Sequence, residues 1–259
     1  MLMTVDIGNT SIAVGVFEGS QLRCSLRFQT DVERYPDEWA ALMLNLLERN
    51  GIPVADVDGS IIASVVPSLI TTFEEMFRRY FHTSPLVVGS GIRTGIRIVY
   101  DNPRDVGADR VVDAVAAMRL YGPPPLVVVD FGTATVFDAI SADGEYIGGA
   151  IAPGIMISAE ALFQRTAKLP RIELEKPKTA IGKNTVHAMQ AGIVFGYVGL
   201  IEGIITRFKR ELGGEARVIA TGGWAKTIAR ETQLVDVVDA DLTLEGLRYL
   251  YDLNRPENA

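Results

Sequence analysis

The sequence predicts an α/β fold in which one unit is used twice, and three observations carry that prediction. An apolar run ends in Asp-x-Gly near the start of the chain, in "MTVDIGNTSIAVGVFEGSQL", and again past its middle, in "VVVDFGTATVFDAISADGEYIGG". Both times small and hydroxyl residues follow, then a second apolar stretch and a Gly turn. Aligning Asp6 with Asp130 puts Gly8 on Gly132 and brings the turn at Gly19 close to the turn at Gly144. A duplication offset by nearly half the chain implies two similar lobes facing a cleft, each a β-β-β-α-β-α-β unit.

The elements follow in chain order. Met1 to Val5, Ile12 to Phe17 and Leu22 to Gln29 read as three short strands, and Tyr35 to Arg49 as an amphipathic helix. Next come the strand "GSIIASVVP", a helix from Ser68 to Phe81 and the strand "PLVVG". "GADRVVDAVAAMRLYG" is a helix that stops at Gly122, because Pro123-Pro124-Pro125 cannot continue it. This places the boundary between a first domain, 1–121, and a second, 122–259. Strands "LVVVDFG", "ATVFDAIS" and "YIGGAIAPG" then repeat the opening, and "RVIATGGWAKTIA" is a strand that runs into a Gly-Gly pair and a helix.

A long apolar helix after "GKNT" carries Gly192, Gly196, Gly199 and Gly203 along one face. Four glycines in a solvated helix would cost about 3–4 kcal/mol against alanine, so a packing partner is expected. That partner is either the sheet of its own lobe or the same helix of a second chain. "RFKREL" reads as the solvated end of this helix and "NRPENA" as a polar terminus.

Composition narrows the function. A chain of 259 residues, 48% hydrophobic and 22% charged, can bury a sizeable core. Its net charge of −7 supplies no basic field for a phosphate backbone, so no nucleic-acid partner is expected. Cys24 is the single cysteine and His82 and His187 the only histidines, which excludes a disulfide framework and a cysteine-rich zinc site and fits a cytoplasmic chain. No segment is read as reaching the roughly 20 apolar residues a membrane helix needs, and Asp6 interrupts the start before a signal region forms, so no membrane association is expected.

The repeated turn has a chemical reading. A strand that ends in Asp-x-Gly and folds straight back lets backbone N–H groups point at a phosphate, while the carboxylate holds a cation. Asn9, Thr10 and Ser11, and Thr133 and Thr135, add amide and hydroxyl donors. Taken singly, either turn is a plain tight hairpin. Thr221-Gly222-Gly223 allows a purine and its ribose to lie against backbone, or is simply a strand-to-helix turn. Other nucleotide signatures fail: Gly182-Lys183 is followed by Asn184, with Pro177 five residues before Gly182, and the third glycine of "VVGSGIRTG" comes one position late. In "YDNPRDVGADRVVDAVAA", Gly107 opens a turn and Asp109 and Arg110 begin a helix. A carboxylate there can take a hydroxyl proton during phosphoryl transfer and the arginine can pair with an anion. Alternatively Asp109 caps the helix and Arg110 is a solvated neighbour.

The ordered set "DIGNT", "YDNPRDVGADR", "DFGTATVFD", "GGAIAPG", "LFQRTAKLP", "IGKNT" and "TGGWA" resembles type III pantothenate kinases over nearly the whole chain. The resemblance implies the acetate-and-sugar-kinase, chaperone and actin superfamily, with two ribonuclease-H-like lobes. It implies ATP-dependent phosphorylation of pantothenate to 4′-phosphopantothenate, the first step of coenzyme A biosynthesis. Position by position, it gives ATP binding to Asp6, Ile7, Gly8, Asn9, Thr10, Ser11, Ile12, Ala13 and Thr133, and general-base catalysis to Asp109. Pantothenate contacts fall on Tyr100, Gly107, Ala108, Asp109, Arg110 and Thr185. Asp6 would lie near Mg²⁺ through the phosphates, and Asp130 would hold a monovalent cation, K⁺ or NH₄⁺. Family members are homodimers, which favours a second chain as the partner of the glycine face. Val136, Asp113 and Arg97 depart from frequent family residues without removing a proposed catalytic group. A kinase of the same superfamily with another small acceptor, or a non-catalytic transcription accessory paralogue, are the alternatives.

Overall fold

The computed structural model describes residues 1–255; Pro256–Ala259, the end of the polar tail, lie outside the described residues. In chain order the strands and α-helices are β1 (Leu2–Ile7), β2 (Ser11–Glu18), β3 (Gln21–Gln29), α1 (Pro36–Arg49), β4 (Gly59–Ser64), α2 (Pro67–Met76), β5 (Leu86–Val87), β6 (Arg97–Ile98), α3 (Ala108–Tyr121), β7 (Leu126–Phe131), β8 (Ala134–Ile140), β9 (Glu145–Pro153), α4 (Ile155–Arg165), α5 (Thr185–Glu211), β10 (Arg217–Thr221), α6 (Ala225–Ile228), β11 (Val237–Val238) and α7 (Leu242–Asn254). They form two compact units.

The first unit holds Met1–Ile96, Asp101–Ala116 and the chain from Asp241 onward. Its sheet runs β3-β2-β1-β4-β5, with β1 antiparallel to β2 and parallel to β4. β1 is central and covered on both faces, so it reads "LMTVDI", buried throughout except at Asp6. Met3, Val5 and Ile7 pack with Trp39, Met43 and Leu47 of α1 and with Leu69 and Phe73 of α2. The α-helical part of the segment expected over 68–81 ends at Met76; Phe77–Phe81 continues as a π-turn that His82 closes with φ 56°. α7 lies against β1, β2 and β4. It also packs on α3, where a Cβ at Gly246 would stand 2.6 Å from the Val112 carbonyl oxygen. Thr243 donates to Asp113 at 2.6 Å, so the carboxylate that replaces the family's frequent Asn is buried and hydrogen-bonded.

The second unit, Arg97–Tyr100 and Ala117–Ala240, repeats the pattern. Its sheet runs β11-β10-β7-β8-β9-β6, so β9-β8-β7-β10-β11 copies the order of the first sheet. β7, "LVVVDF", has the burial profile of β1, with Asp130 again the half-buried exception. Ile193, Tyr197, Ile201 and Ile205 of α5 enter the core with Val129, Phe131 and Phe137. "RFKREL" is mostly solvated, although Phe208 turns in against Phe137.

Three expectations change. The division does not fall at 121/122: it lies within α3, after Ala116, and α7 belongs to the first unit because its buried Leu244, Leu247 and Leu250 cover that sheet. Arg97–Tyr100 joins the second unit because β6 pairs with β9. The expectation that no segment is membrane-like is also corrected: α5 is long and apolar enough to cross a bilayer, with mean hydropathy 1.6 over its most apolar window, half of which is buried inside the unit. Gly and Ala interleave its large apolar residues, so a scan for an unbroken run of bulky side chains passes over it. The glycine face, finally, is not packed on its own sheet, since nothing lies within 4 Å of a Cβ built at Gly192, Gly196 or Gly199.

Gly246→Ala is expected to destabilise the protein by about 1–3 kcal/mol in urea unfolding, because overpacking against a backbone oxygen outweighs the gain of about 1 kcal/mol in helix propensity.

Candidate active site

The first loop is built by closing β1 onto β2 over two exposed residues, Asn9 and Thr10. The Gly8 N–H donates to the Ser11 carbonyl at 3.0 Å, so the chain reverses at once. Thr30, just past β3, fastens the loop: its hydroxyl donates to the Gly8 carbonyl at 2.7 Å and its N–H to the Thr10 carbonyl at 3.0 Å. Asp6 pairs in register with Ala13, while Ile7 and Ile12 are fully buried beneath the turn. Ser11 and Ala13 are half-buried at the start of β2. Exposed donors on a rigid floor are what an anionic phosphate chain requires. Thr30 was not among the sequence candidates; its signal is a hydroxyl residue that ends the third strand beside the first loop.

The second loop closes in the same way and is one residue shorter. Asp130 pairs with Val136, and the Gly132 N–H donates to the Ala134 carbonyl at 3.1 Å. Thr133 is exposed at the tip, whereas Thr135, proposed as a donor beside it, is fully buried. Two glycines from elsewhere hold this loop. A Cβ at Gly154 would lie 2.2 Å from the Thr133 carbonyl oxygen and 2.8 Å from that of Gly132, and the Gly154 N–H donates to the Thr133 carbonyl at 3.2 Å. Gly222, with φ +89°, sits against Asp130: a Cβ there would lie 2.3 Å from Oδ1 and 2.7 Å from the Phe131 backbone. Thr221 is in register with Asp130 across the parallel β10–β7 pair. The Thr-Gly-Gly turn, read from sequence as a nucleoside loop, therefore also forms one wall of the Asp130 site.

Asp109 stands in the first turn of α3. Its Oδ1 accepts the Arg110 N–H at 2.9 Å and would lie 2.4 Å from a Cβ at Gly107, so only glycine clears the carboxylate. Burial pushes the Asp109 pKa upward, opposed by the Arg110 N–H and the Arg110 charge. A desolvated carboxylate with raised basicity suits a proton acceptor. Arg110 is itself 9% exposed, which removes the reading of it as a solvated neighbour. Ala108 is half-buried at the helix start.

Tyr100 and Thr185 lie in the second unit. Tyr100 is 37% exposed; its ring is 6.4 Å from that of Tyr146 and covers Gly148. The Tyr146 hydroxyl donates to the buried Asp138 carboxylate at 2.7 Å, so a fixed surface backs Tyr100. Thr185 is the exposed first residue of α5, after Asn184, whose side chain accepts the His187 N–H at 2.9 Å. With Ser158, Leu162 and Gly196 it lines a cavity of about 560 Å³.

Among the described residues no three His, Cys, Asp or Glu side chains group as a metal cluster. Carboxylate oxygens such as those of Asp6 suit a hard divalent ion whose coordination substrate phosphates complete.

Two units of this topology, each opening on an Asp-x-Gly hairpin, define an actin-like and sugar-kinase-like phosphotransferase fold. Solved structures agree on the fold: the chain superposes with a TM-score of 0.51 on an inorganic polyphosphate/ATP-glucomannokinase from Arthrobacter (17% identity, 97% of this chain and 98% of that one). The score is 0.55 for the ADPNP-bound activator of 2-hydroxyisocaproyl-CoA dehydratase from Clostridium difficile (12% identity, 97% and 94%). The chain belongs to the type III pantothenate kinase family, whose sequence profile matches residues 2–207. It is 53% identical over 254 residues to a type III pantothenate kinase of Dehalococcoides mccartyi, covering 98% of this chain and 96% of the relative.

Two outcomes follow from this geometry. Gly222→Ala should lose about 2 kcal/mol or more of stability in chemical denaturation, since the added methyl meets Asp130 and the φ is strained for alanine. Because the folded state raises the Asp109 pKa, folding with this carboxylate charged costs stability relative to the unfolded chain; Asp109→Asn should melt at the same temperature as wild type or higher at pH 7, read by scanning calorimetry.

Proposed function

We propose that this protein transfers the γ-phosphoryl group of ATP to the primary hydroxyl of pantothenate, giving ADP and 4′-phosphopantothenate in the cytoplasm, the first step of coenzyme A biosynthesis. The observation that carries the reading is a half-buried Asp109 at the head of α3, its pKa raised by desolvation, in a chain that is 53% identical to a named type III pantothenate kinase over nearly its full length. Asp109 accepts the hydroxyl proton as the oxygen attacks the γ-phosphorus and the bond to the β-phosphate oxygen breaks. Loop residues Asp6–Ala13, together with Thr133, bind the phosphates through backbone N–H groups and hydroxyls. Mg²⁺, near Asp6, would neutralise phosphate charge, and K⁺ or NH₄⁺ at Asp130 would add a second positive charge. Tyr100, Gly107–Arg110 and Thr185 contact pantothenate, and the buried Arg110 pairs with an anionic group of substrate or nucleotide.

The open glycine face of α5 supports a homodimer. Met156, Ile157, Leu162 and Phe163 are exposed on α4, the helix packed beside α5, and they extend the apolar surface. A second copy would bury this surface and make up for the poor helix propensity of the glycines.

With ATP, Mg²⁺ and pantothenate, ADP release should depend on pantothenate and rise when potassium replaces sodium; Asp109→Asn should lower kcat by at least about 10²-fold. The acid limb of wild-type kcat/KM should fall above the ordinary carboxylate pKa, because the base is active only when deprotonated and burial raises its pKa. No pantothenate dependence in folded, nucleotide-binding protein would point to another acceptor. Gly196→Arg, which meets open space in the isolated chain, should convert dimer to monomer in analytical ultracentrifugation.

A further inference from the structure

α5 reaches the second loop through one side chain. Tyr197 is 5% exposed, and its ring lies 6.4 Å from that of Phe131, at the end of β7. Its hydroxyl exchanges a hydrogen bond with that of Thr135, which is fully buried at the start of β8. The backbone of Ile155, the first residue of α4, and the Asp130 carboxylate both lie near enough to act electrostatically on the phenol. Each of these groups borders the loop. Thr135 is in register with Phe131, and Ile155 follows Gly154, whose backbone is pressed onto Gly132 and Thr133. On its other side Tyr197 lines the cavity beside Gly192 and Gly196.

We propose that Tyr197 is a positioning residue: its hydroxyl locks Thr135 beside the Gly132–Thr133 turn, so that α5 sets the geometry in which Asp130 and Thr133 meet cation and phosphate. This rests on the kinase reading above. Without that oxygen, the Thr135 hydroxyl loses its buried partner at the base of the loop, and the tip carrying Thr133 is free to shift. The ring and its packing on Phe131 do not need the oxygen, so phenylalanine separates positioning from core filling.

The test compares wild type, Tyr197→Phe, Thr135→Val, Thr135→Ser and the double variant Tyr197→Phe/Thr135→Val. Calorimetry would give the affinity for a non-hydrolysable ATP analogue in potassium and in sodium, and steady-state kinetics the KM for each substrate. Tyr197→Phe and Thr135→Val should each weaken analogue binding and raise the potassium needed for half-maximal activity by about 10-fold, as loss of a supporting hydrogen bond does at ligand sites. The KM for pantothenate should move less than about 2-fold. Thr135→Ser, which keeps the hydroxyl, should stay near wild type, and the double variant should be no worse than either single one. Wild-type analogue affinity and potassium response in Tyr197→Phe, with only a lower melting temperature, would overturn the proposal. If Tyr197→Phe fails to fold, normal binding in Thr135→Val would overturn it equally. Absence of pantothenate-dependent turnover in wild type would count against the kinase reading, while the analogue affinities would still decide the role of Tyr197.

Discussion

The second unit is organised around the closeness with which three backbone segments meet at the end of β7. Asp130 ends the apolar part of that strand, Gly222 presses on its carboxylate from β10, and Gly154 presses on the turn that follows it. None of these approaches leaves room for a side chain. The arrangement holds because β7 lies between β8 and β10 and its apolar residues are buried on both faces, so its end cannot move to relieve crowding. A carboxylate held in this way keeps its oxygens in one fixed place.

The two units show one scaffold with its first turn fastened in two different ways. Both place a half-buried Asp at the fifth position of a buried central strand and both close the following turn with a Gly N–H bonded to a carbonyl. The first turn is longer by one residue, is tied by Thr30 from β3, and exposes an amide and a hydroxyl. The second is shorter and is tied by glycines from two other segments. The repeated strands are alike, and the local fastening of each turn is where the two units differ.

Asp109 illustrates a different device. Its carboxylate occupies the space that a side chain at Gly107 would fill, and burial raises its basicity while the adjacent Arg110 opposes that rise. The second turn of α3, just past Asp109, is fixed by α7, through the Gly246 contact with Val112 and the Thr243–Asp113 hydrogen bond. The last helix of the chain thus supports the proposed base, a link between residues about 130 positions apart that physical packing creates and chain order conceals.

The sequence by itself determined the α/β class, the repeated Asp-x-Gly hairpin and the order of the opening strands, because period-two burial and glycine's freedom in turns are local properties. It also singled out Asp6 and Asp130 as carboxylates that end an apolar run two residues before glycine, and Asp109 as one that opens a helix. It could not show that α7 belongs with the first sheet, that Thr135 points inward to Tyr197 while Thr133 faces outward, or that Gly222 is a wall of the Asp130 site. Those facts were decided only in the tertiary structure. An amphipathic helix carries no label for the sheet it covers, and steric exclusion between segments 90 residues apart in the chain exists only once the strands between them have paired.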